Sequence, residues 1–465
     1  MVKQANTNPQ APLTDEQMVY QLEGKPKLTV ALPLGLQHVL AMFASNLAPM
    51  LIIAGILGSS GADKVLMMQA AMVVSGLTTF VQLYPLKIGN RQIGAGLPIV
   101  MGTSFAFVPT AASVAGTYGT FGAVLGGAMI GSLSEGIIGF FYKYLERFFP
   151  PLVIGCTLIT IGVHLLDVGR DYFAGGTGAK DYGSWQNLTI AFLTFIFIVV
   201  LQRFGKGILK TAALLFGLVF GYCVAFFFGK VDFATISQAG WFSLPLPLHF
   251  RPEFHLDAII SFAALYVVSG LETIGNTSGI TVAAFDREAT QKETSGAIMA
   301  DAGGSFLASI FGALPNTAFG QNAGIVSMTG VVNKWCIATG AFVLTICGFL
   351  PKLGAIFASI PNAVLGGSLI SVFAMIFING IKLIAKSGFS ERNVLVLGIT
   401  FAMGLGLAGH ADAIKGLWGP LRFIFEDGVA ATCMVAILVN ILFPMDKDDR
   451  GKADKAAHEE ILEDI

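Results

Sequence analysis

Helix-breaking residues interrupt two long apolar runs, as Gly-Ala-Gly-Leu-Pro at 94–98 and as Leu-Pro-Asn-Thr at 314–317. The first leads to Gly-Thr-Ser-Phe at 102–105, and the second leads to Gly-Gln-Asn-Ala-Gly at 320–324. Broken helices are tolerated in lipid only where the freed backbone groups are buried in protein or face a cavity. The two interruptions therefore predict a polar site inside an otherwise apolar molecule.

The composition is that of a membrane protein. Of the 465 residues, 54% are hydrophobic and only 12% are charged, whereas about 25% are charged in a soluble domain. The 56 glycines suit helices that pack closely in lipid. A net charge of −1 gives no indication of nucleic-acid binding. We therefore expect an all-α protein embedded in the bilayer.

Apolar runs long enough to cross a bilayer recur along the chain, since a span needs roughly 20 residues. We predict fourteen spans, of which the third and the tenth are broken. Their starts lie near the following residues: Leu28, Leu66, Ile93, Phe121, Pro151, Leu188, Leu209, Ala258, Gly296, Thr317, Ile337, Ala363, Val394 and Gly419.

The distribution of positive charge predicts the orientation. Cytoplasmic loops carry an excess of Lys and Arg. With the N-terminus in the cytoplasm, only eight of the 28 Lys and Arg residues fall outside: Lys64, Arg170, Lys180, Lys230, Arg251, Lys352, Lys415 and Arg422. Both termini are therefore predicted to be cytoplasmic, in agreement with an even number of spans.

Fourteen spans divide into two halves of seven, and each half has its broken segment in third position. Because the number of spans per half is odd, the two halves form an inverted repeat. Broken segments in corresponding positions of two halves are the best indication in a sequence of a transporter binding site.

Four ionisable residues fall within predicted spans, where charge is costly and usually has a function or a partner. Glu272 in span 8 and Asp301 in span 9 are candidates for binding a proton, and Glu272 could equally accept hydrogen bonds from a substrate N–H group. His38 in span 1 and Glu135 in span 4 are interpreted as structural polar groups, with a possible orienting role for His38.

Two amides follow the break in span 10. Gln321 and Asn322 each offer a donor and an acceptor, which suits the edge of a heterocycle that carries both N–H and C=O groups. Phe105 ends the matching break in span 3 and could stack on such a ring.

The run from Gln321 to Gly330, Gln-Asn-Ala-Gly-Ile-Val-Ser-Met-Thr-Gly, resembles the signature of the nucleobase–ascorbate transporter family, also called nucleobase:cation symporter 2. That signature reads Gln, Glu or Pro, then Asn, any residue, Gly, four residues, Thr, and a basic residue or Gly. Glu272, Asp301 and His38 also match polar positions of the family in spans 8, 9 and 1. The resemblance covers all fourteen spans.

The resemblance implies a core domain and a gate domain, with short β-strands in spans 3 and 10 and a homodimer formed through the gate. The implied boundaries are as follows: a disordered cytoplasmic tail at 1–27, core at 28–146, gate at 147–230, an extracellular loop at 231–257, core at 258–357, gate at 358–443 and a cytoplasmic tail at 444–465.

The resemblance also implies roles at the substrate. Glu272 and Gln321 hydrogen-bond the base, Phe105 stacks on it or donates its backbone N–H, and Gly320 lies against the ring. Asn322 shapes the site and its selectivity.

Further roles are implied around the substrate. Ser104 belongs to the Gly-Thr-Ser-Phe run, which is similar to that of xanthine and urate carriers. Asp301 and His38 support proton coupling. Asn276 occupies the position four residues after Glu272, where some members carry an acid or a histidine.

Gln at the first signature position implies an oxidised purine, xanthine and/or uric acid, imported with a proton. The alternative within the family is uracil, whose carriers have Glu there. An inorganic-anion carrier of related fold is disfavoured by the acidic site. An intramembrane enzyme is disfavoured because the sequence has no HExxH, no phosphate-binding loop and no Gly-x-Gly-Asp.

The remaining expectations concern partners and location. The coupling ion is a proton, and no other cofactor or metal is expected. The five cysteines form no CxxC pair and are expected to be buried thiols. The protein is expected in the cell (inner) membrane of a bacterium, with the lipid bilayer and a purine as its partners and no nucleic acid.

Overall fold

The computed structural model describes residues 14–89, 91–145, 150–407, 411–417, 422, 424, 425 and 427–444. Its helices, in chain order, are α1 (Asp15–Met18), α2 (Leu28–Ile56), α3 (Gly61–Leu83), α4 (Val108–Tyr118), α5 (Phe121–Leu145), α6 (Pro151–Phe173), α7 (Trp185–Phe204), α8 (Ile208–Thr211), α9 (Ala213–Phe227), α10 (Ala234–Gln238), α11 (Leu256–Phe285), α12 (Gln291–Phe311), α13 (Gln321–Thr329), α14 (Lys334–Cys347), α15 (Pro351–Ala358), α16 (Asn362–Ser387), α17 (Glu391–Phe401), α18 (Ala411–Ile414) and α19 (Gly428–Leu442).

Two pairs of short strands complete the described structure. Strands β1 (Leu86–Ile88) and β2 (Arg91–Ile93) form an antiparallel hairpin. Strands β3 (Met101–Thr103) and β4 (Asn316–Ala318) also pair antiparallel, although more than 200 residues of chain separate them.

Polar residues outside the apolar runs begin several helices. The hydroxyls of Ser60 and Ser184 accept hydrogen bonds from backbone N–H groups in the first turns of α3 and α7. Thr290 and Glu293 form a reciprocal capping box at the start of α12. Capping satisfies N–H groups that have no partner within the helix, so these residues determine where the helices start.

The helices pack as two bundles. The site bundle contains α2, α3, α4, α5, α11, α12, α13 and α14, and the flanking bundle contains α6, α7, α9, α16, α17 and α19. Glycine permits close approach within the site bundle: a Cβ on Gly35 of α2 would lie 2.1 Å from the Cys336 carbonyl oxygen of α14.

Seven described helices are long and apolar enough to cross a membrane: α2, α3, α5, α6, α7, α11 and α16. The pair α14 and α15, bent by 80°, would make an eighth if it counts as one span. The other predicted spans correspond to shorter helices, to strand–helix pairs or, for span 9, to the 21-residue α12, which is not among the seven, so the count of fourteen stays a prediction. The short strands expected in the two broken segments are confirmed, since β3 and β4 lie there.

Near the predicted start of span 3, Ile93 ends the partly exposed hairpin, the chain is mostly buried from Gly94 onward, and β3 follows at Met101. Two expectations need correction. Within the expected disordered tail, residues 14–27 are ordered: they include α1, and the Asn333 side chain donates to the Met18 and Gln21 carbonyls. Cys223 is exposed rather than buried.

Some predicted features lie outside the described residues. These are the rest of the N-terminal tail (1–13), the start of span 14 near Gly419, and nearly all of the C-terminal tail (445–465).

Candidate functional site

The two broken segments meet in the middle of the site bundle. Gly102 pairs with Thr317, and Thr103 pairs with Asn316. The pairing extends past the strand ends, since Ser104 N–H donates to the Pro315 carbonyl at 2.8 Å and Phe319 N–H donates to the Val100 carbonyl at 2.9 Å. The helix breakers thus expose backbone groups that find partners in the other half of the chain.

Polar side chains of the neighbouring helices complete the hydrogen bonding of β3. The Asn46 Oδ1 atom of α2 accepts from the Thr103 N–H at 2.7 Å, from the Thr103 hydroxyl at 3.0 Å and from the Ser75 hydroxyl at 2.8 Å. The Thr79 hydroxyl accepts from the Met101 N–H at 2.9 Å. A buried backbone group without a partner is costly, so these residues hold the strand in place.

Side chains of the neighbouring helices also complete the hydrogen bonding of β4. The Ser305 hydroxyl of α12 accepts from the Asn316 N–H at 3.0 Å, and the Asn316 side chain donates to Thr78 of α3 at 3.3 Å. The sequence interpretation identified none of these supporting residues. In the sequence, each supporting residue is visible only as a polar residue within an apolar run. This pattern does not show which group the residue will hydrogen-bond.

The first turn of α13 carries the predicted amides directly after β4. Gln321 is exposed, as is Gly320, whereas Asn322 is fully buried. The Asn322 Nδ2 atom lies 2.8 Å from His38 Nδ1, which joins α13 to α2. The exposed amide of Gln321 is therefore free to reach a ligand, and Asn322 is held by the histidine that the sequence matched to the family.

Asn276 of α11 links that helix to the same turn. Its Nδ2 atom donates to the Ala318 carbonyl at 2.6 Å, and its Oδ1 atom would lie only 2.7 Å from a Cβ placed on Gly320. Glu272 is half-buried one helical turn earlier, and residues four apart share a face of a helix. Glu272 therefore faces the side of α11 on which α13 begins.

Asp301 of α12 is hydrogen-bonded to α11. Its Oδ2 atom accepts a hydrogen bond from the Thr273 hydroxyl, and the side chain is fully buried. Thr273 follows Glu272 directly, so the two predicted carboxylates belong to one region but occupy different environments: Glu272 is reachable, whereas Asp301 is enclosed.

Phe105 begins the short helical turn at 105–107. The Ser104 hydroxyl caps this turn by accepting a hydrogen bond from the Ala106 N–H group. The Phe105 ring packs edge-on against Phe373 of α16, with centroids 5.6 Å apart. Phe105 therefore contacts the flanking bundle.

A cleft of about 640 Å³ lies between the two bundles. One wall contains Leu271, Gly275 and Gly279 of α11, together with Ser327 of α13, and the other contains residues near the start of α6 and the end of α16. Small-molecule sites are commonly clefts of about 300–1,000 Å³, so the volume suits a small organic ligand. Glu272 does not line the cleft itself but adjoins its wall.

Long apolar helices surround a polar, partly open centre, as in a multi-pass membrane protein, and the family match below shows that this one is a transporter and not an enzyme. The Permease family model matches residues 30–412, and the chain belongs to that family. The resemblance to nucleobase carriers stated from the signature is thereby confirmed.

Relatives match over almost their whole length. The xanthine permease of Bacillus subtilis is 33% identical over 89% of this chain and 93% of its own. The uric acid permease PucK of Bacillus subtilis is 32% identical over 88% of this chain and 94% of its own.

The fold also matches a solved structure. The transmembrane domain of a cyanobacterium bicarbonate transporter, BicA, aligns with a TM-score of 0.57 at 17% identity, and covers 90% of this chain and 100% of that one. The expected class of membrane transporter fold is confirmed.

Proposed function

We propose that the protein is a proton-coupled secondary transporter that imports an oxidised purine, xanthine and/or uric acid. The observation that carries the proposal is the exposed Gln321 amide, which directly follows β4 on the side of α11 that bears Glu272. The names of the relatives, xanthine permease and uric acid permease, support the same class of substrate.

Each residue in contact with the base has a distinct chemical role. The Gln321 amide donates to a ring C=O group and accepts from the adjacent N–H group, and the Glu272 carboxylate accepts from a second N–H group. Phe105 stacks on the ring or donates its backbone N–H. Gly320 lies against the ring because it has no side chain to obstruct it.

Other residues act through these contacts. Asn322 and His38 fix the start of α13 relative to α2, while Asn276 fixes it relative to α11 and Ser104 begins the turn that bears Phe105. Asp301 or Glu272 binds the coupling proton, and His38 and Asn276 support the coupling. The membrane potential contributes about 2.3 kcal/mol per charge per 100 mV, so one proton can drive accumulation of a neutral base.

The setting of the transporter is part of the proposal. It resides in the cell (inner) membrane with both termini in the cytoplasm. It functions as a homodimer joined through the flanking bundle, which corresponds to the gate domain of the family. It needs no cofactor besides the proton.

Uptake of radiolabelled xanthine, uric acid and uracil by cells that express the protein tests the proposal. We expect one or both purines to accumulate, and we expect an uncoupler to abolish the accumulation. Gln321→Glu should lose purine uptake, while Gly324→Ala, a change in the same helix with no atom within 4 Å of the added methyl group, should retain it. Accumulation of uracil without either purine would contradict the proposed substrate.

A further inference from the structure

Glu135 of α5 is fully buried, and neither of its carboxyl oxygens has a hydrogen-bond partner among the described residues. An ionised carboxylate in such a place is far more costly than the neutral acid. The sequence interpretation of Glu135 as a polar packing group does not explain this environment, because a packing role would require a partner.

Glu135 lies close to α11 and α12, the two helices that carry the predicted proton-binding carboxylates. Its Oε1 atom lies 3.8 Å from the position that a Cβ on Gly270 of α11 would occupy. Next to it in the chain, a Cβ on Gly136 would lie 3.8 Å from the Ala302 Cβ of α12. Gly270 is two residues before Glu272, and Ala302 directly follows Asp301.

Other polar atoms in this region also lack partners within the described part of the chain. They are the Ser269 hydroxyl, the Tyr266 hydroxyl and the Oδ1 atom of Asp301, and all three side chains are buried. The Ser269 hydroxyl faces the Glu135 carboxyl without reaching hydrogen-bond geometry. The ionisable groups that face Glu135 are Asp301 of α12 and Glu272 and Tyr266 of α11.

Two carboxyls in one low-dielectric region cannot both be ionised without a large repulsion, and such pairs share a proton. The two acids differ in their donors. Thr273 donates to Asp301 and stabilises its ionised form, while the Ser269 hydroxyl that faces Glu135 lies outside hydrogen-bond geometry. Glu135 is thus the member of the pair that is better suited to hold the proton in this conformation.

We propose that Glu135 and Asp301 form a carboxyl pair that holds the coupling proton in common, with Glu135 as its resting position. The proposal rests on the proton coupling proposed above. In the transfer, the Glu135 O–H bond breaks as its proton binds the Ser269 or Tyr266 hydroxyl oxygen, and the O–H bond of that hydroxyl breaks as its own proton binds Asp301 Oδ1. The negative charge passes to Glu135, and the total charge of the pair is unchanged.

The test compares two modes of transport in proteoliposomes of the purified protein. Accumulation of xanthine under an imposed pH gradient needs the proton, whereas counterflow of labelled xanthine against unlabelled xanthine needs only binding and movement. For Glu135→Gln we expect counterflow within about threefold of the unmodified protein and gradient-driven accumulation lowered by about tenfold or more.

Ser134→Ala is the matched control, because Ser134 is adjacent in α5 and its hydroxyl donates to the Gly131 and Ala263 carbonyls. We expect it to retain both modes of transport. If Glu135→Gln accumulates xanthine as the unmodified protein does, the carboxyl pair is refuted while proton coupling stands. If the unmodified protein shows no response to the gradient, both proposals fail.

A spectroscopic measurement covers the case in which Glu135→Gln does not fold. Infrared spectra of the unmodified protein should contain the C=O stretching band of a buried protonated carboxyl. That band should shift in Glu135→Asp, which keeps the acid but shortens the side chain by one methylene. A spectrum unchanged by Glu135→Asp would overturn the proposal.

Discussion

Gly320 leaves space at the candidate site because glycine has no side chain. Gly320 has an ordinary helical backbone conformation, so alanine would be compatible with its dihedral angles. The obstacle to a side chain is Asn276, whose Oδ1 atom would lie 2.7 Å from the added carbon. Asn276 cannot move away freely, because its Nδ2 atom is hydrogen-bonded to the Ala318 carbonyl.

Gly320→Ala is therefore expected to weaken purine binding about tenfold, which corresponds to about 1.4 kcal/mol. The added methyl group displaces Asn276 and occupies space proposed for the ring. Equilibrium binding of labelled xanthine to the purified protein measures the change. Gly324→Ala, one turn later in α13 and open to space, should bind like the unmodified protein. Equal affinities for both variants would contradict this account of Gly320.

The sequence identifies candidate ligand contacts but not the residues that support them. It singles out Gln321 by its type and by the break beside it, and Glu272 by its charge within an apolar span. The bond between Asn322 and His38 joins positions 284 apart, and no periodicity encodes such a pairing. The environment of Glu135 depends in the same way on how α5 is rotated against α11 and α12.

At the scale of elements, the pair of strands β3 and β4 is held by side chains from the surrounding helices. Asn46 contributes most, since one oxygen atom accepts three hydrogen bonds. The sequence shows only that both segments are broken. It does not specify that they pair, because short strands leave no alternating pattern.

Asn46→Ala is expected to destabilise the protein by about 1–3 kcal/mol, because the buried N–H group of Thr103 loses its acceptor. Thermal unfolding in detergent, followed by tryptophan fluorescence, measures the change. Ser309→Ala is the control: Ser309 is also buried, but its hydroxyl donates only to a carbonyl of its own helix. Loss of stability of equal size in both variants would show that Asn46 has no special part in holding β3.

At the scale of the whole molecule, hydrogen bonds join the two bundles at a distance from the cleft. Near the end of α6, the Tyr172 hydroxyl donates to the Leu51 and Ile52 carbonyls of α2. Near the start of α6, Ile154 lines the cleft. Eighteen residues of helix separate the two, or about 27 Å. Thr110 of α4 also donates to Asp427, which caps α19.

We infer that a ligand enters from the end at which the cleft lies, and labelling of cysteines can test this. In a background without the five native cysteines, Ser278→Cys in the cleft wall should react with a membrane-impermeant maleimide at least about tenfold faster than Thr110→Cys. Xanthine should slow the reaction at Ser278→Cys. Equal rates at both positions would contradict one-sided access.

Pairing between β3 and β4 also bears on how the protein is made. When Met101–Thr103 leaves the ribosome, the strand that will pair with it is still untranslated. An unpaired strand in lipid costs several kcal/mol for each free polar group. Until the second half of the chain is made, the first half must therefore stay shielded or only partly inserted in the membrane. A chain that stops at Phe311 would keep an exposed polar strand edge, which the membrane quality-control machinery can recognise.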